Sequence, residues 1–336
     1  MNEQAAGRLF GWEHAFDHRL TTWLTLGVVA ALLVAVVAIA LLSRSGRLQP
    51  ALRRELWLRT RSWVFLILGV WLPVLAGAFW AVLAFFLVSL WCYREYARAT
   101  GLFREHLLSA VTVIAILFLY FAVLDHWYGF FMALAPLGLV SLAVVTIPLD
   151  RPQGYIQRVG LALFGYLLLG VAWGHLAYLT NDWNYRPLVL LVLVSVALSD
   201  VAAFTAGRIL GRRKLLPNTS PNKTMAGALG ALVITTLFFA LLAGPLFTGT
   251  AIEPMGWRLL LGFLVAALAQ LGDLMLSSIK RDLGIKDMGR SIPGHGGMLD
   301  RLNSFLLVAP AVFHFVGYFN GVGADQPVRI FTWVAP

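Results

Sequence analysis

The chain of 336 residues is 60% hydrophobic and only 12% charged, with a formal net charge of +10. An ordinary globular domain carries about twice that share of charge, so the composition excludes a soluble domain and identifies an integral membrane protein. The excess of Lys and Arg, 26 against 16 Asp and Glu, falls between apolar segments, and no nucleic-acid partner is expected.

A hydrocarbon core of about 30 Å takes about 20 helical residues to cross. Apolar segments of that kind recur at 21–42, 64–78, 79–92, 107–124, 127–149, 161–180, 188–210, 228–247, 258–279 and 304–319. The fold class is therefore all-α, a polytopic membrane protein of nine or ten transmembrane helices. The second and third segments are short: they form a helical hairpin hinged near Gly77, giving ten spans, or one long tilted helix, giving nine. Before the first span, Glu3, Glu13 and Asp17 and the lack of a small-residue cleavage site argue against a removable signal peptide.

After the first span, residues 43–62 interleave Arg44, Arg47, Arg53, Arg54, Arg59 and Arg61 with Leu48, Leu52, Leu56, Trp57 and Leu58. That pattern predicts a short helix lying on an anionic cytoplasmic leaflet. Alternation of ten spans then puts 21 of the 26 Lys and Arg on one face. The positive-inside rule makes that face cytoplasmic and both termini external, in what would be a bacterial inner membrane.

The helices before residue 180 carry almost no ionisable group within their apolar runs, so residues 1–198 read as scaffold. Cys92, the single cysteine, is expected to pack, and it excludes a disulfide within the chain. Asp125, His126, Asp182 and Trp183 fall in short external connections and read as solvated loop residues.

The chemistry gathers in residues 199–319, ahead of a tail at 320–336. Asp200 stands inside an apolar span, and the segment that follows carries Arg212, Arg213 and Lys214, then Ser220, Lys223 and Thr224 after a proline-bounded turn. Hydroxyls and an amine placed just before a helix suit a phosphate. Further on, Asp273, Ser277, Lys280 and Arg281 stand at i, i+4, i+7 and i+8, which puts them on one helix face. An intramembrane carboxylate such as Asp273 requires a partner or a water-filled cavity.

The loop beyond presents Lys286, Asp287, Arg290, His295, Asp300 and Arg301 among Gly284, Gly289, Gly294, Gly296 and Gly297. Such a set of cations and accessible backbone amides suits a polyphosphate, and Asp273 with Asp300 would suit a divalent metal, with Asp200 as a third candidate ligand. His295 reads equally as general base, metal ligand or loop hydrogen-bond donor. No Walker loop or GxSxG elbow is present.

Ser277, Lys280, Arg281, Lys286, Asp287, Gly289, Pro293, His295, Gly296, Gly297, Asp300 and Arg301, after the Gly272–Asp273 pair, together resemble the signature of the phosphatidate cytidylyltransferases, or CDP-diacylglycerol synthases. Asp200, Phe204, Gly207, Arg208, Gly211 and the cluster Ser220, Pro221, Lys223 and Thr224 resemble a second region of that family. The clear likeness covers residues 199–304.

The resemblance implies attack of the phosphate of phosphatidic acid on the α-phosphorus of CTP, with release of pyrophosphate and Mg2+ as cofactor. On that basis Asp273, Lys280, Arg281, Lys286, Asp287, His295, Asp300 and Arg301 are expected to be catalytic. Ser220, Lys223, Thr224, Ser277, Gly296 and Gly297 are expected to bind substrate, and Asp273 and Asp300, with Asp200, to hold the metal. CTP, a lipid phosphate and the bilayer are the implied partners, and a homo-oligomer stays open.

Two positions depart from the pattern: Asn303 and Ala226 stand where the family usually has acidic residues. The alternatives are a paralogue acting on another lipid phosphate, or a transporter or flippase using Asp200 and Asp273.

Overall fold

A computed structural model describes residues 3–45, 49–182, 184–294, 296–321 and 329–332. His295, Trp183, Arg47 and Leu48 lie outside the described residues. The chain runs α1 (Glu3–Phe10), α2 (Arg19–Arg44), α3 (Pro50–Ala76), α4 (Ala78–Thr100), α5 (His106–Leu124) and α6 (Tyr128–Val144), then α7 (Tyr155–Gly165) and α8 (Ala172–Tyr178) joined by a π-helical stretch. It continues through α9 (Tyr185–Leu210), a hairpin of β1 (Lys214–Leu216) and β2 (Ser220–Thr224), α10 (Met225–Leu242), α11 (Met255–Asp282), α12 (Met298–Leu302) and α13 (Phe305–Asn320).

Among the described residues nine helices are long and apolar enough to cross a membrane, the α7–α8 run counting as one, and α13 is a shorter tenth. Each apolar segment expected from the sequence overlaps one of these ten, with ends that agree to within a few residues for most. The break at Gly77 separates the second from the third, which excludes a single long helix there. Gly77 adopts φ 142°, and a Cβ on it would lie 2.3 Å from the Leu9 carbonyl oxygen, so the hinge also serves as the seat of α1.

The arginine-rich segment departs from expectation. Residues 50–62 are not a separate surface helix but the first turns of α3, continuous with the apolar run to Ala76. Pro50 starts the helix at its first turn, where its missing N–H costs nothing, and no Gly or Pro lies between it and Leu66 to interrupt the ladder. The two spans expected to be short are thus 27 and 23 residues long.

Two polar ends result. At one, Arg8 donates to Asn181 Oδ1, and Asn181 donates to the Val123 carbonyl at 2.8 Å. Asp125 there is fully buried, not solvated as expected: it accepts from the backbone N–H groups of Phe331 (2.5 Å) and Thr332 (3.2 Å) and from the Thr332 hydroxyl. The amino-terminal helix and the residues beyond α13 therefore meet at the same face, as an even number of crossings requires. At the other face the arginine-rich turns of α3, the end of α4, the hairpin and the loop after α11 come together.

Small residues set the close packing that builds this second end, since lipid offers little hydrophobic drive for helix association. A Cβ on Gly230 would lie 2.4 Å from the Ala206 side chain, and one on Gly227 2.6 Å from the Ala203 carbonyl oxygen. These contacts draw α10 onto α9 and fix the hairpin between them.

Candidate active site

The hairpin was not anticipated from the sequence. β1 and β2 pair antiparallel with Lys214 opposite Thr224 and Leu216 opposite Ser220. Thr224 ends β2, caps α10 by accepting from the Gly227 N–H at 3.1 Å, and is buried against Gly207 and Gly211. Its hydroxyl thus serves the backbone, while Lys223 beside it reaches across to α11 and forms an ion pair with Asp273.

Asp273 is held from a second direction as well. Asn303, at the end of α12, donates its amide to Asp273 Oδ1 at 2.6 Å and accepts the Ser304 N–H at 2.9 Å with its own oxygen. A carboxylate at position 303 would face Asp273 with a second acceptor; the asparagine supplies a donor instead. Gly272 permits this approach, since a Cβ there would lie 2.7 Å from the Asn303 carbonyl oxygen. Asp200 on α9 lies within electrostatic range of Asp273, Lys223 and Arg301, joining the upstream cluster to the downstream one.

Two turns along α11 from Asp273, Lys280 is buried and donates to Asp300 Oδ1 at 2.8 Å. Asp300 Oδ2 accepts the Met288 N–H at 2.8 Å and the Gly297 N–H at 3.0 Å. One carboxylate therefore closes the loop from 288 to 297 onto α12 and ties both to α11. Ser277 is buried on the same stripe, whereas Arg281 is exposed and reaches the Thr219 and Ile285 carbonyl oxygens, each at 3.3 Å.

Glu95, on α4, is a member of this site that sequence reasoning missed. It is buried and takes the Met298 N–H at 3.0 Å, the Leu299 N–H at 2.9 Å and the Ser291 hydroxyl. Hydrogen bonds to a charged acceptor contribute about 1.5–3 kcal/mol each, so Glu95 is a principal anchor of the loop. The glycines fit around it: a Cβ on Gly297 would lie 2.4 Å from Glu95 Oε2, and one on Gly289 2.7 Å from Oε1. The available signal was its place three residues after the buried Cys92 on one helix stripe, obscured by Arg94 and Arg98, which make the stretch resemble a solvated helix end.

Ser62 on α3 donates to the Pro293 carbonyl at 2.9 Å, so residues before 198 supply more than scaffold. A groove of about 430 Å³ opens over the loop, lined among others by Lys286, Asp287, Arg290, Gly296 and Arg301, with Arg59 of α3 on its other wall. Four of those side chains are cationic. Gly296 sits at φ 82° between the carboxylates, where a Cβ would come 3.2 Å from Asp287 Oδ1 and 3.3 Å from Asp300 Oδ2. Ser220 is half-buried at the start of β2.

Among the described residues, no three His, Cys, Asp or Glu side chains converge as a ready metal site. Asp300 already spends its oxygens on Lys280 and two amides. Asp273 and Asp200 lie within electrostatic range of each other and of Lys223, and a divalent cation held between them would take over the neutralising role of Lys223.

A family model described as the cytidylyltransferase family matches residues 57–319. The chain is similar to the uncharacterized protein YnbB of Escherichia coli K12, 33% identical over 273 residues that cover 79% of this chain and 88% of that protein. It is 32% identical over 264 residues to the phosphatidate cytidylyltransferase of Helicobacter pylori J99, covering 78% and 94%. Against the phosphatidate cytidylyltransferase of Bacillus subtilis 168 it is 31% identical over 226 residues, covering 64% and 81%.

Proposed function

Because the chain belongs to the cytidylyltransferase family, we propose that it transfers the cytidylyl group of CTP to phosphatidic acid, giving CDP-diacylglycerol and pyrophosphate. A phosphate oxygen of the lipid bonds to the α-phosphorus of CTP, the bond from that phosphorus to the β-phosphate oxygen breaks, and pyrophosphate leaves. The observation that carries this reading is the convergence of the Lys223–Asp273–Asn303 chain and the Lys280–Asp300 pair at one end of a membrane bundle, beside a groove walled by cations.

Reactions at phosphorus depend chiefly on positioning and on neutralising charge. Lys286, Arg290 and Arg301 face the groove and would hold phosphate oxygens, Arg281 and Lys223 add positive charge where α11 meets the hairpin, and Glu95, Lys280 and Asp300 keep the loop in place. Phosphatidic acid is already ionised near neutral pH, so no strong general base is required. Asp273 and Asp200 would hold Mg2+, whose charge would offset that of the phosphates. The groove faces the cytoplasm of a bacterial inner membrane in this reading, which follows from the arginine bias and lets CTP arrive from water while acyl chains stay in the leaflet.

Purified protein given labelled CTP, phosphatidic acid and Mg2+ is expected to release pyrophosphate and form CDP-lipid in equal amounts; failure to form either overturns the reading. The metal assignment has a readout apart from turnover. Asn303→Asp replaces a donor 2.6 Å from Asp273 with a second carboxylate, so its thermal midpoint is expected to rise with added Mg2+ more than that of the unsubstituted protein. An equal response in the two proteins would place the cation elsewhere.

A further inference from the structure

The turns of α3 before the apolar run present two different basic faces. Arg54, Leu58 and Arg61 follow one another at helical spacing on a face that, with Ser43 of α2, borders a separate groove. Glu55, Arg59 and Ser62 form a second stripe, about 100° around the helix, which meets the active loop: Ser62 bonds the Pro293 carbonyl, and Gly294 packs against the Arg59 side chain, a Cβ on it lying 3.3 Å from Arg59 Cγ. Arg59 is half-exposed, is steadied by Glu55 at 2.5 Å, and shares its groove with Lys286, Arg290 and Arg301.

The depth of Arg59 decides which phosphate it meets. One turn further along α3 the exposed surface becomes wholly apolar, with Trp63 41%, Phe65 63%, Leu68 45% and Leu72 54% exposed. A large aromatic following a row of arginines marks the level of lipid headgroups. Arg59 therefore stands where the lipid-facing wall of α3 ends and the cationic groove begins.

We propose that Arg59 is a substrate-binding residue that takes the phosphate of a lipid phosphomonoester as it moves along α3 from the leaflet into the groove. This rests on the cytidylyltransferase reading for what happens to that phosphate afterwards. Guanidinium suits the task, because its planar donors engage two phosphate oxygens at once and its charge survives partial burial. Glu55 holds the side chain extended and gives it up to the stronger anion.

Equilibrium binding of a fluorescent short-chain phosphatidic acid to the full chain in neutral-detergent micelles tests this without turnover. Arg59→Ala is expected to weaken binding about tenfold, Arg54→Ala and Arg61→Ala to stay within about twofold, and CTP affinity to stay within about twofold in all three. Glu55→Gln, which keeps Arg59 and removes its competitor, is expected to bind the lipid more tightly. Equal loss in Arg59→Ala and Arg61→Ala would mean diffuse attraction to anionic headgroups and would overturn the proposal. So would a loss of CTP affinity with lipid binding intact. Arg59-dependent lipid binding without pyrophosphate release in the unsubstituted protein would sink the proposed reaction and leave this site standing.

Discussion

Asp273→Asn is expected to lower turnover of CTP and phosphatidic acid by about 10²–10³-fold, the usual cost of removing one preorganised charge from a site of this kind. The substitution keeps size and removes charge. In the structure Asp273 gathers the Lys223 ammonium from the hairpin and the Asn303 amide from α12, and it lies within electrostatic range of Asp200. Neutralising it frees Lys223 from the α11 face and removes one of the two carboxylates proposed to take a divalent cation.

The cost to folding is expected to be small. The side chains of Lys223 and Asp273 are 25% and 26% exposed, and partly solvated pairs contribute little, about 0–1 kcal/mol at the surface. Pyrophosphate release and thermal unfolding in detergent, measured on the same preparation, check the split. Turnover within about threefold of the unsubstituted protein would remove Asp273 from the chemistry.

The features legible in the sequence were those that a short window determines. Apolar runs located every long helix among the described residues, and Gly77 marked a true break. The stripe from Asp273 to Arg281 was readable because helical periodicity alone puts those side chains together.

What escaped depends on partners far away in the chain. Glu95 is 196 residues from Ser291 and 204 from Leu299, and no local pattern tells a solvated glutamate from one that holds a distant loop. Asp125 was misread for the same reason, its partners Phe331 and Thr332 lying 206 and 207 residues on. The boundary of α3 was missed differently: charge was taken to end a membrane helix, yet nothing in the backbone chemistry of residues 50–62 prevents the helix from continuing into the headgroup region. The departure at Asn303 likewise became intelligible only once its amide was seen donating to Asp273.

The remaining large effect is an asymmetry between the two halves of the buried pair. Asp300→Ala is expected to destabilise the protein more than Lys280→Met, although the two changes break the same ion pair. The side chains of Lys280 and Asp300 are 11% and 2% exposed, and leaving either charge buried and alone costs about 3–5 kcal/mol. Lys280→Met strands Asp300 only in part, because the Met288 and Gly297 N–H groups still solvate its carboxylate. Asp300→Ala strands the ammonium and orphans those two amides together, adding about 1–3 kcal/mol for each buried donor left unmet. Loss of the amide bonds also frees the backbone at Met288 and Gly297, loosening the groove wall that carries Arg290 and Gly296 and leaving Glu95 and Ser62 to hold it. Asp300→Ala is therefore expected to abolish turnover even in whatever fraction remains folded, while Lys280→Met retains loop closure. Thermal midpoints of the two variants and protease sensitivity of the loop test the order. If Lys280→Met proved the more damaging, the ammonium, not the carboxylate's grip on the backbone, would be what holds this loop against α11.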